Sequence, residues 1–427
     1  MQKKKMIYLK NCTYINEETL EFRKTDICVE EGLQGDIHFY NQKPNDLIVS
    51  QTIDCKEKIV THAFANGHHH VYSALARGMG APKKNPFNFY EVLQYIWWTL
   101  DKCLDKDMIR ASALATAIAS AKNGVGFVID HHASPMAVEN SLQIIANAFD
   151  EVGVSHLLCY EITDRDGMDK AAKGLEETER YLQKNQALVG LHASFTVSDK
   201  TLQSAVTLAE KYNSGIHIHV AEDAYDQLHC LDNYGMRVVE RLQKHGALDL
   251  DKTILGHCLF LNDKEKEIIA NSTSWVVQNM ESNLNNRVGY FDGSGMGNRI
   301  MLGTDGMHSD MIQSARSVFL AGKDHEMLSP DAVYQRFRNS HQFIKSNNFK
   351  GDAANNLVVM DYDSPTEINS SNFSGHFVYG INSKHIQHVI SNGKLIVKDG
   401  CLTTVNETEV LGFCREMGKK LWVAMQK

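Results

Sequence analysis

The sequence predicts an α/β protein: a (β/α)8 barrel of the TIM type with a small β-sandwich domain built from both chain ends. Three observations predict it. Eight apolar, strand-like runs follow one another at 59–65, 126–130, 155–162, 187–195, 215–220, 253–259, 274–278 and 300–303. Stretches of helical spacing separate them, such as 109–122, 137–150, 202–212 and 238–242. The texture is different at both ends, where short strands alternate with polar turns. Near-continuous apolar strands alternating with helices imply a parallel sheet buried on both faces. Eight such units fit a closed barrel better than an open sheet.

In chain order, 6–12, 26–30 and 47–52 are the leading short strands. The eight barrel units follow, ending with helices near 341–346. Short strands return at 357–361, 376–379, 388–392 and 394–398, and a helix over 407–424 closes the chain. Residues 1–57 and 350–427 are therefore expected to form one composite β domain, and residues 58–349 the barrel. The lysines at the start mimic a signal peptide, but no apolar segment or small-residue cleavage site follows.

Of the 427 residues, 43% are hydrophobic and 22% charged, the profile of a globular protein with an ordinary core. Acidic residues outnumber basic ones, 52 to 44, and no Lys/Arg cluster stands out, which argues against nucleic-acid or anionic-membrane partners. No apolar run is long enough to span a membrane. The nine cysteines are scattered and never spaced C-x-x-C, so they read as reduced thiols in a cytoplasmic protein.

Functional side chains of such barrels project from the C-terminal strand ends. Here those ends read Asn66-Gly67-His68-His69-His70, Asp130-His131-His132, Leu191-His192-Ala193-Ser194, His217-Ile218-His219-Val220-Ala221-Glu222, Gly256-His257-Cys258 and Gly303-Thr304-Asp305-Gly306. Side chains two apart on an extended segment share a face, so His68 and His70 aim at one point. Alone, that segment is equally a polar turn with three histidines. With His219 and Asp305 on the same rim, three imidazoles and a carboxylate suit a zinc-like divalent ion. Glu222, three residues after His219, reads as a proton shuttle, or else as a helix-start carboxylate. His257 reads as the group that holds the attacking hydroxide, and His192 as facing substrate.

These segments resemble the amidohydrolase superfamily, in its cytosine deaminase, chlorohydrolase and guanine deaminase-like branch. The resemblance runs from about residue 57 to 350. It also draws on Leu75-Ala76-Arg77-Gly78, His192-Ala193-Ser194-Phe195-Thr196 and Glu281-Ser282-Asn283. Asp130-His131-His132-Ala133-Ser134-Pro135 adds a likeness to aminohydrolases linked to selenium and purine metabolism gene clusters. The resemblance implies one Zn or Fe ion per subunit on His68, His70, His219 and Asp305. It implies that Glu222, His257 and Asp305 work on the water and its protons. Binuclear relatives use a carboxylated Lys on strand four, and the run 187–195 has none, which favours a single metal. Substrate contacts are expected from Arg77, Trp98, His131, His192 and Glu281, with Trp97 and Met307 beside them; the Trp97-Trp98 segment reads equally as a substrate lid or as a helix packed on the barrel. Strand seven places the acidic Glu281 where many deaminases have a basic residue. Relatives of this kind are often homodimers.

The implied reaction is hydrolysis of a small purine- or pyrimidine-like heterocycle. An exocyclic leaving nitrogen makes it a deamination. A ring nitrogen makes it the ring opening of a cyclic amide, amidine or ureide. A non-catalytic metal-binding barrel is the third reading, and it predicts loss of the acid/base residue, whereas Glu222 is present. H-E-x-x-H and P-C-x-x-C are absent, and Gly293-Ser294-Gly295-Met296-Gly297 precedes a strand instead of following one, so it is no dinucleotide loop.

Overall fold

The computed structural model describes residues 6–427. Lys3–Lys5, considered above as the start of a signal peptide, lie outside them. At the N-terminal end, β1 (Met6–Ile15) pairs antiparallel with β2 (Phe22–Glu30), and β2 with β3 (Ile37–Tyr40). β4 (Gln51–Asp54) and β5 (Ile59–His62) both run parallel to β1.

The barrel follows as β6 (Phe64–His69), β7 (Val125–His132), β8 (Ser155–Ile162), β9 (Val189–Ala193), β10 (Ile216–Val220), β11 (Ile254–His257), β12 (Trp275–Gln278) and β13 (Ile300–Leu302). Neighbours pair in parallel and in sequence order from β6 to β13. The barrel closes through one parallel bridge, His69 to Asp305. Nearly every strand residue is buried, as a sheet covered by helices requires.

Four further strands, β14 (Leu357–Met360), β15 (Ile386–Ser391), β16 (Lys394–Lys398) and β17 (Cys401–Leu402), return to the first sheet. β14 pairs antiparallel with β5, so the two chain ends make one nine-stranded sheet. Its core gathers Ile7, Leu9, Ile27, Val29, Ile53, Val60, Leu357, Val359 and Ile390. A helix over Glu407–Met425 closes the chain.

Three expected strands differ, and the one at 47–52 starts only at Gln51. The run 59–65 divides: Ile59–His62 belongs to the chain-end sheet, and Phe64–His69 is the first barrel strand. Both pieces are wholly buried, so their apolar pattern cannot mark the break. Residues 376–379 lie in a helix, Phe373–Tyr379, not a strand. Phe373 and Phe377 fall four apart on one face and pack against Tyr334, a helical contact that a four-residue window hides.

A buried ionic cluster ties the two parts together. His62 Nδ1 lies 3.3 Å from Glu17 Oε1, and its Nε2 lies 3.3 Å from Asp352 Oδ1. Asp352 also meets His341 Nδ1 at 2.7 Å. Burial opposes charge on His62, but Asp352 and Glu17 outweigh it and lift the imidazole to about 9. Burial likewise opposes charge on Glu17, and His62 brings it down to about 2. A raised histidine stabilises the fold below its unfolded value of 6.5 and loses that effect as pH climbs through about 9. A lowered glutamate stabilises above 4.5 and fades as pH falls toward about 2. The difference in thermal midpoint between wild type and His62→Gln should therefore peak between about pH 4.5 and 6.5 and shrink toward about pH 9. A difference that stays constant across that range would remove the ionic account.

Candidate active site

Barrel closure is also site assembly. The amides of Thr304 and Asp305 donate to the His68 carbonyl at 3.0 Å each, and the His70 amide donates to the Asp305 carbonyl at 3.3 Å. This stitches the end of β6 to the end of β13. Gly303 permits it, because a Cβ there would sit 2.9 Å from the Cβ of His68 and 2.4 Å from Asn279 Oδ1.

His70 Nε2 lies 2.9 Å from Asp305 Oδ1 and 3.1 Å from His219 Nε2, and His68 Nε2 lies 3.5 Å from Asp305 Oδ1. The structure thus gathers His68, His70, His219 and Asp305 around one point, from β6, β10 and β13. Each histidine is oriented by its other nitrogen. His70 Nδ1–H donates to the His131 carbonyl and His219 Nδ1–H to the His192 carbonyl, both at 2.7 Å. His68 Nδ1 meets His217 Nε2 at 2.9 Å. Such outer contacts fix tautomer and ring angle around metal centres.

The donor set fits a divalent cation. With both Nδ1–H groups committed, His70 Nε2 and His219 Nε2 present lone pairs to each other at 3.1 Å. His68 Nε2 is buried with no hydrogen-bond partner. Burial holds His68 down to about 3 and His219 well below its ordinary value, so these two rings are neutral, whereas Asp305 outweighs burial and lifts His70 to about 9, a proton that a cation at Nε2 would replace. Three converging imidazole lone pairs and a carboxylate are otherwise a costly arrangement to bury.

Beside this centre, His257 Nε2 lies 3.6 Å from Glu222 Oε2 and 3.7 Å from Asp305 Oδ2. Asn283 fixes His257 through a 2.8 Å contact to Nδ1. Burial lifts the Glu222 carboxyl to about 7, so a protonated form is available near neutrality. The backbone here is unusual: Ala221, His257 and Asp305 all have positive φ, at 45°, 67° and 51°. Non-glycine residues rarely take that conformation, and it concentrates at functional sites.

A pocket open to solvent lies above the cluster. Its floor includes His70, His219, Glu222, His257 and Asp305. Phe89, Leu93, Trp97 and Trp98 cover it from a helical segment, 89–103, that carries one wide turn over Leu93–Trp97. Of the expected substrate contacts, Trp98 and His192 line the cavity, as do Trp97 and Met307. Arg77 is exposed outside it. His131 lies beneath the floor, its Nε2–H directed at the carbonyls of Leu191 and His217. Glu281 faces away, paired with His308 at 2.6 Å and bonded by Gln313 and Ser317.

Sequence reasoning missed Glu161 and Arg165, which both line the cavity. The signal was present, since a glutamate stands one residue before the end of the strand-like run 155–162. The strand-end reading passed over that strand.

The amidohydrolase family profile matches residues 59–336. A 5'-deoxyadenosine deaminase of Methanopyrus kandleri is 28% identical over 86% of this chain and 88% of its own length. A 5-methylthioadenosine/S-adenosylhomocysteine deaminase of Aquifex aeolicus is 28% identical over 87% and 89%. Among solved structures, an adenosine deaminase from Xanthomonas campestris with bound zinc superposes with a TM-score of 0.82 at 16% identity, covering 97% of this chain and 98% of that one. A triazine hydrolase from Arthrobacter aurescens superposes at 0.83 with 16% identity, covering 97% and 99%. A profile spanning well over half of the residues, set on a closed eight-stranded barrel, makes this chain a member of the amidohydrolase family.

Proposed function

We propose that this protein is a metal-dependent aminohydrolase that removes an exocyclic amino group from an aminopurine-like heterocycle, releasing ammonia. The observation that carries the reading is the convergence of His68, His70, His219 and Asp305 beside a partly exposed carboxyl, Glu222, at the base of one cavity. Its direction toward amino-purines is supported by relatives bearing the names of adenosine-type deaminases. We assign His68, His70, His219 and Asp305 as ligands of a single ion, and zinc as that ion, because imidazole and carboxylate donors suit it.

A divalent ion bound there supplies Lewis acidity that brings a water's pKa from ~16 toward ~7. The chain's own groups do the rest. Glu222 in its protonated form donates to a ring nitrogen next to the reacting carbon, which makes that carbon electrophilic. His257, with Nδ1–H given to Asn283, keeps Nε2 free to hold the attacking water. Asp305 Oδ2 faces the same space and takes a proton from the water, which then passes to the departing nitrogen. Trp97 and Trp98 offer flat faces to a planar ring. The cavity lining includes one arginine and no lysine, so it lacks a phosphate-binding cluster and suits a base or nucleoside better than a nucleotide.

The test is a panel of amino-purines, their nucleosides, aminopyrimidines and triazines, presented to metal-quantified protein, with ammonia and new carboxylate measured in parallel. Stoichiometric ammonia without new carboxylate is expected. Carboxylate without ammonia would replace deamination by ring opening, and neither product from any compound would overturn the reading.

A further inference from the structure

The catalytic reading leaves one charged group of the cavity unused. Glu161, at the end of β8, has a side chain only 2% exposed, yet it lines the cavity beside His192. Its ionic contacts are long: Oε2 to His131 Nδ1 at 3.3 Å, and Oε1 to Arg165 Nη1 at 3.3 Å. His131 directs its Nε2–H at two carbonyls, and its buried Nδ1 makes no hydrogen bond to Glu161. No backbone amide or hydroxyl donates to Glu161 among the described residues.

Arg165 does not absorb this charge alone. Its guanidinium also contacts Asp101, and its Nε lies 3.1 Å from Asp166 Oδ2. Lys102 joins Asp166 at 2.8 Å. Three carboxylates (Glu161, Asp101, Asp166) thus share two permanent cations (Arg165, Lys102), so Glu161 does not have Arg165 to itself. Of the three carboxylates, only Glu161 lines the cavity. Trp98 lies over Arg165, its ring centroid 5.0 Å from the guanidinium carbon, and its buried Nε1–H has no partner. This wall therefore holds an under-used acceptor and an orphaned donor. A buried polar group without a partner is costly, and a bound ligand is what satisfies it in a recognition site.

We propose that Glu161 is a specificity-determining residue that accepts a hydrogen bond from an O–H or N–H donor on the non-reacting edge of the substrate. The edge is the one next to His192: a Glu161 oxygen, a His192 nitrogen and a His219 nitrogen lie within 4.8 Å of one another. His192 Nδ1 is engaged by Thr196 Oγ1 at 2.7 Å, which leaves Nε2 for the same edge. Two sources carry such a donor, the sugar hydroxyls of a nucleoside and the ring N–H of a free base. The inference rests on the deaminase reading above, and its test separates the two.

Wild type, Glu161→Gln and Glu161→Ala are compared on two matched pairs, 5'-deoxyadenosine against its 2',3'-dideoxy analogue, and adenine against 9-methyladenine. Wild type should prefer the donor-bearing member of one pair by at least ~10²-fold in kcat/KM, as sites built to bond a donor do. Glu161→Gln should compress that preference to within about tenfold and leave the donor-lacking member little changed. The pair that compresses identifies the source of the donor. Tryptophan-fluorescence titration with inosine against 2',3'-dideoxyinosine, and hypoxanthine against 9-methylhypoxanthine, should show the same compression in Kd without turnover. The thermal midpoint of Glu161→Gln should hold, because Gln matches Glu in size and Arg165 keeps its contacts to Asp101 and Asp166. A wild type indifferent to both pairs in rate and in binding overturns the proposal. So does a variant that weakens both members equally with a lowered midpoint, the mark of a packing role. If no aminopurine releases ammonia but the binding preference stands and compresses, the function above fails and the role of Glu161 survives.

Discussion

Glu222→Gln is expected to leave the bound ion at its wild-type content and to lower kcat by roughly 10²–10⁴-fold. Gln matches Glu in size and keeps a carbonyl oxygen, so the packing around the side chain is conserved. It cannot supply an acidic proton. Glu222 sits beyond His68, His70, His219 and Asp305, 3.6 Å from His257 and lining the cavity. Burial, helped by the nearby Asp305 carboxylate and opposed by His257, favours its neutral form. That environment suits a group that must protonate a ring nitrogen near neutral pH. Turnover and metal content, measured on the same preparation, decide the matter. Near-normal kcat would remove Glu222 from proton transfer. Loss of the ion together with activity would make it a ligand instead.

The site was legible in sequence wherever period and chemistry coincided. His68 and His70 stand two apart on an extended segment, and an extended segment can direct them only to one side. His219 and Asp305 became legible through their place after apolar runs, because barrel strands deliver their ends to one rim. What lay beyond that rule did not follow. Arg77 and Glu281 neighbour motif residues in the chain but leave the cavity, since a helical turn sends successive side chains to different faces. His131 follows a strand residue, yet its ring turns beneath the floor toward β9 and β10. Glu161 lies one residue inside an apolar run, where a strand-end reading does not look. The left-handed conformations of Ala221, His257 and Asp305 fall on residues other than glycine, so the sequence carries no signal for them. The break at Ala63 between two sheets is hidden for a similar reason, both neighbours being buried alike.

His70→Asn should abolish tight metal binding and activity together, and the contrast with His217→Phe makes the result diagnostic. His70 offers Nε2 to the shared centre, 2.9 Å from Asp305 and 3.1 Å from His219. Asn is shorter and brings no imidazole, so the point where three rings converge loses one donor. His217 has no place in that centre. It meets His68 Nδ1 at 2.9 Å from behind, and its loss should weaken the ion by only about 10–100-fold, as removal of an outer partner does. Titration against graded chelator should rank wild type, His217→Phe and His70→Asn in that order. Stability gives an independent reading of the same ranking. An ion that binds only the folded chain adds RT ln(1 + [M]/Kd), about 4 kcal/mol at a thousandfold excess over Kd. Chelation should therefore lower the thermal midpoint of wild type substantially, that of His217→Phe less, and that of His70→Asn hardly at all. Equal shifts in all three proteins would place the ion elsewhere in the chain, and with it would go the assignment of His68, His70, His219 and Asp305 as one centre.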